Sequence, residues 1–242
     1  MQNGTQEERK MKKISRRKFE LMMKYFGFDI EKEDGVWHFS VTMPGDMFTV
    51  RFSVSDSSLI EEVNEVLGSD RDTMIEMWMD AIRCDDDGLI TEDDVREAVD
   101  SFVWYSNSVC NDLAGYAVVD DSEAIRYVSD DELKAVFRSW NIKEEDGNLM
   151  QELPFRTEFR VTDATHPDIS EAVENLVSFD ETAWLEGVLG RKINTGRLQD
   201  EDPFMLDCAE QVAKKTFKAA IEIADLRIAG EGKKKRERKI IE

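Results

Sequence analysis

The sequence predicts a mainly α chain with a small β component, a β-hairpin near 36–54, and an α+β arrangement as the alternative. Three observations carry this. Apolar residues recur at i, i+3, i+4 and i+7 in run after run, one segment alternates with period two, and residue types that cap helices and make turns separate these runs. With 242 residues, 41% hydrophobic and 35% charged, the chain is long enough and apolar enough to bury a core.

Residues 1–14 read as a flexible basic tail. Ser15 is an N-cap for a helix whose face carries Phe19, Met22, Met23 and Phe26, and Gly27 stops it. Trp37, Phe39, Val41 and Met43 alternate along one strand and Phe48, Val50, Phe52 and Val54 along another, with Pro44-Gly45-Asp46 supplying the turn. A short helix from Ser58 to Leu67 completes a helix, hairpin and helix module over 15–68.

The next module, 69–180, is expected to be helical. Met74, Ile75, Trp78, Met79 and Ile82 share one face of a helix over 72–83. Thr91 followed by Asp94 is a capping-box-like start for a second helix toward Cys110. The stretch 114–128 fits either a helix end or a strand. Ser129 caps a helix carrying Leu133, Val136, Phe137 and Trp140, an acidic loop follows at 144–148, and 154–162 fits strand or helix. Helices over 169–177, 182–189 and about 203–228 follow, the last two within a C-terminal segment 181–230, and 231–242 is a lysine-rich tail.

Charge is unevenly placed. The net −21 divides into +5 over residues 1–27, +5 over 211–242 and −31 over the stretch between. Such a body repels nucleic acid and attracts basic protein surfaces, an attraction that salt weakens. No signal-like or membrane-length apolar run occurs, so the expected setting is cytoplasmic, without membrane association. Cys84, Cys110 and Cys208 are odd in number and widely spaced, which fits reduced thiols and excludes a zinc-type cysteine pair. His38 and His166 stand outside any nucleophile, metal or acid/base motif, and there is no G-x-S-x-G, phosphate loop or H-E-x-x-H, so catalysis is not expected.

The segment Arg83 to Asp94 carries the most specific pattern. Asp85, Asp87, Gly88, Ile90 and Asp94 fall at positions 3, 5, 6, 8 and 12 of a twelve-residue loop, with Leu89 offering the backbone carbonyl of position 7. Calcium needs six to eight oxygens, and this spacing supplies several. Arg83 at position 1 and the short Asp94 at position 12 make the expected binding weak. The same letters also spell a two-helix turn with a capped second helix.

Lower-fidelity echoes occur at 29–35, 121–133 and 159–169. Together these segments resemble the EF-hand superfamily, and in order and spacing the sarcoplasmic calcium-binding proteins with degenerate loops. The resemblance implies a calcium ion held by Asp85, Asp87, Leu89 and Asp94, and a sensor-like protein acting through protein–protein contacts. Two other expectations compete: an acidic inhibitor that mimics DNA and occupies the basic surface of a nucleic-acid-binding protein, and a secretion-chaperone-like α+β protein suggested by the order of 15–67.

Overall fold

The structure, a computed structural model, describes residues 11–43, 48–83, 90–196 and 201–229. The chain divides into two compact units, Met1–Asp120 and Asp121–Glu242, a boundary that falls inside the stretch 69–180.

In the first unit, β1 (Lys12–Ile14) leads into α1 (Arg16–Tyr25) and then a three-stranded antiparallel sheet of β2 (Asp29–Glu33), β3 (Val36–Thr42) and β4 (Thr49–Ser55). Helices α2 (Leu59–Leu67), α3 (Arg71–Arg83) and α4 (Glu92–Leu113) follow, and β5 (Tyr116–Val118) returns to pair with β1 in parallel. Helix α1 starts where Ser15 accepts a hydrogen bond from the Lys18 amide, and it buries Phe19, Met22 and Met23. Along β3 the period-two pattern sends Trp37, Phe39 and Val41 inward. Phe19, Phe28, Trp37, Phe39 and Phe52 then meet at ring separations of 5.1–6.3 Å, which forms the aromatic centre of this unit.

The second unit opens with a short helix α5 (Asp121–Ala124). Its elements are β6 (Arg126–Val128), α6 (Asp130–Ser139), the antiparallel sheet β7 (Ile142–Glu145), β8 (Asn148–Leu153) and β9 (Thr157–Asp163), helices α7 (Ile169–Val177), α8 (Glu181–Leu189) and α9 (Pro203–Ile223), and β10 (Leu226–Ile228) paired in parallel with β6. Leu153, Trp184, Leu185, Ile193, Ala209 and Val212 form one buried cluster of this unit.

The expectation of a mainly α fold is overturned. Among the described residues, four sheets of two or three strands stand beside the helices, so the fold is α+β. The hairpin at 36–54 is present as β3 and β4, its turn residues 44–47 lying outside the described residues. Two strands missing from the sequence reading, β2 and β7, are short and mostly exposed: only Ile30 of β2 is partly covered, and only Ile142 of β7 is buried. A strand with one inward residue leaves no alternation to read. Their register comes instead from Asp34-Gly35 and Asp146-Gly147, two-residue turns with positive φ at both positions, the Asp-Gly chemistry of a tight hairpin.

The two units repeat one topology, βαβββαααβ, which the sequence reading did not reveal. The agreement extends to individual bonds. Ser15 and Ser129 cap the first helices. Gly27 and Asn141, both at positive φ, follow those helices. The Asp56 amide donates to the Gly35 carbonyl at 3.0 Å and the Ala164 amide to the Gly147 carbonyl at 2.9 Å. Ser106 and Thr216, 1% and 0% exposed, each donate a hydroxyl to the carbonyl three residues earlier. Beyond the closing strands, Val119 donates to Ile14 and Ala229 to Val128, both at 2.9 Å.

Candidate functional site

The second unit holds a groove of about 510 Å³. Its apolar floor comes from Leu133 and Phe137 on α6, Ile142 at the start of β7 and Leu149 on β8, each no more than 6% exposed. Leu133 and Phe137 are four apart, so both project from one face of α6. Asp130, Lys134 and Arg138 follow the same spacing one step around and form a charged rim two turns long, roughly 12 Å. The far wall is made by Glu144 and by the loop Ala164 to Pro167, and the end of β10 closes one side with Ile228 and Ala229.

Lys143 is held by Glu152 at 2.7 Å, which raises the lysine and lowers the carboxyl from their ordinary values. Asp130, Lys134, Arg138 and Glu144 take part in no side-chain ion pair among the described residues. The Asp163 carboxylate accepts the backbone amides of His166 at 3.0 Å and Thr165 at 2.7 Å, and these hold it below the usual carboxylate range. That bond shapes the loop and sets His166 at the mouth, exposed. A groove of this size, apolar below and charged at the edge, is suited to holding part of a ligand or a partner's side chains.

The residues expected to hold calcium are placed differently. Asp85, Asp87 and Leu89 lie outside the described residues. Asp94 sits in the first turn of α4, where one carboxylate oxygen accepts the Thr91 hydroxyl at 2.6 Å and the Thr91 amide at 2.8 Å, and the Thr91 hydroxyl accepts the Asp94 amide at 3.2 Å. This is a reciprocal capping box, and Thr91 holds the Asp94 carboxyl below its ordinary range. The echo at 29–35 forms β2 and its turn, and the echo at 121–133 spans α5, β6 and the start of α6. Among the described residues no three or more His, Cys, Asp or Glu side chains gather as a metal site would require. His38 shares a 2.7 Å hydrogen bond with Ser53 across β3 and β4 on the exposed face of the sheet. Burial pushes the half-buried Cys110 thiol up, away from nucleophilic character.

No described helix is long and apolar enough to cross a membrane. No family model, curated protein or solved structure matches the chain.

Sequence reading missed the groove. Leu133 and Phe137 were legible as a helix face, but nothing in their spacing says that the space above them is open. The repeat would have been the signal. Ile14-Ser15 with Phe19, Met22 and Met23 parallels Val128-Ser129 with Leu133, Val136 and Phe137, and each set is followed by an Asp-Gly turn.

Proposed function

We propose that the chain is a non-enzymatic binding protein that docks a segment of a partner protein in the groove of its second unit, with the acidic body favouring partners whose surface is basic. The groove itself carries this reading: a buried apolar floor under a charged rim in which Lys143 is paired with Glu152 while Asp130, Lys134, Arg138 and Glu144 have no ion-pair partner among the described residues. Charged side chains beside an apolar floor match the usual division of an interface into an anchoring centre and a polar edge. The −31 carried by residues 28–210 adds long-range steering toward cationic partners, which sets the rate of encounter more than the affinity.

The test is selection of displayed random peptides on the full chain, followed by rebinding to a Leu149→Trp variant in which the floor is raised. Enriched peptides should lose binding to the variant while its circular dichroism is unchanged. Peptides that bind both chains equally, or no enrichment at all, would remove the groove from the account.

A further inference from the structure

The first unit shows what the groove of the second unit is missing. There the indole of Trp37 is 3% exposed, with its ring 5.8 Å from Phe19 and 6.2 Å from Phe39. Its N–H donates to Asp56 at 2.9 Å, Arg16 donates to the same carboxylate oxygen at 2.8 Å, and the Lys32 ammonium lies 3.8 Å from the ring centroid.

The repeat assigns each of these positions a counterpart. Trp37 stands two residues after Gly35, as Leu149 does after Gly147. Asp56 and Ala164 are matched by their amide bonds to those glycines. Arg16 and Asp130 each follow the capping serine, and Phe19 and Leu133 come four residues after it. Lys32 pairs across the sheet with Trp37, and Glu144 pairs with Leu149. All five counterparts, Leu149, Ala164, Asp130, Leu133 and Glu144, line the groove. Each is smaller than the residue it replaces. The groove is therefore the place of the Trp37 side chain, vacated by substitution at the indole and at four of its neighbours.

The geometry points to a receptor for an aromatic side chain, tryptophan foremost, carried by the partner protein and seated where the repeat would place its own indole. This rests on the docking reading above and specifies the anchor. An indole in that place would lie on Leu133 and Leu149, with Asp130 and Glu144 as acceptors for its N–H in place of the lost Asp56. Two features favour a residue within a chain over a free amino acid. The charged rim runs two turns along α6, farther than an indole reaches. The loop from Ala164 to Ile169 is also two residues longer than its counterpart from Asp56 to Leu59, and the extra residues face the groove mouth.

The test is an amide chemical-shift titration of the isotope-labelled full chain with N-acetyl-L-tryptophanamide, a blocked tryptophan residue, beside N-acetyl-L-leucinamide and free L-tryptophan. Saturable shifts are expected at Leu133, Ala164, Thr165 and Ile228, with at least tenfold weaker binding of the leucine compound and weaker binding of the free amino acid. Leu149→Trp should abolish the shifts; Ala164→Leu, a smaller obstruction, should weaken them and serves if the first variant misfolds. No saturable shifts, shifts confined to other residues, or undiminished binding by either folded variant would overturn the proposal. Tighter binding of free tryptophan would replace a partner's side chain with the amino acid itself. Displayed peptides that need the groove but carry no aromatic residue would sink the aromatic anchor and leave the docking reading standing.

Discussion

Asp56 collects two donors on a single carboxylate oxygen, the Arg16 guanidinium and the Trp37 indole, and these hold its pKa below the usual carboxylate range. A carboxyl depressed in the folded state contributes stability that is complete above its unfolded pKa and is lost as pH falls through its folded pKa. Because both side chains of the Arg16–Asp56 pair remain more than a third exposed, solvent screens the pair and its share is small. Urea unfolding between about pH 5 and pH 2 should show stability falling with acid, and Asp56→Asn should flatten that slope. An identical slope in the variant would show that Asp56 contributes nothing to it. The indole contributes more. Trp37→Leu removes buried ring contacts and leaves a cavity, at a cost of about 3 kcal/mol. Leu149→Trp enters space that already exists, so thermal unfolding should show its stability unchanged or raised.

At the scale of elements, a cap decides whether the wall of the groove is well formed. The Ser129 hydroxyl accepts the Glu132 amide at 3.3 Å at the start of α6, and Ser129→Ala should cost roughly 1 kcal/mol in chemical denaturation. In α4 the Asp94 carboxylate is committed to Thr91. Asp94→Ala should therefore lower the melting temperature equally with and without millimolar calcium. A loss seen only with calcium would make Asp94 a metal ligand. Helices were the legible part of the sequence, because α1, α4, α6 and α7 bury one face at 3.6-residue spacing and begin at side-chain caps. Strands β3 and β4 were legible for the same kind of reason, since alternate residues of β3 are buried. Strands β2 and β7 were hidden because acidic residues dominate their exposed faces, although the Asp-Gly turn after each was present to be read. The groove was not legible at all: it is defined by smaller residues relative to the other unit, and that difference exists only once the two units are aligned by their caps, turns and hydrogen bonds.

For the whole molecule, a net charge of −21 means self-repulsion within the fold and attraction at a distance for cationic partners. Added sodium chloride should raise the melting temperature while slowing association with a basic peptide, and stopped-flow rates across a salt series would check the second effect. A rate indifferent to salt would remove charge from the recognition step. Recognition in the groove requires that the two units be one design, with an indole present in the first and absent from the second. The most direct measurement is the number of N-acetyl-L-tryptophanamide sites on a Trp37→Leu/Asp56→Ala chain, which places in the first unit the residues that the second already has at those positions. Two sites are expected, the original one and a new one perturbing the amides of Phe19, Lys32 and the substituted residue 56; a folded variant that still binds at one site, or at none, would contradict the equivalence.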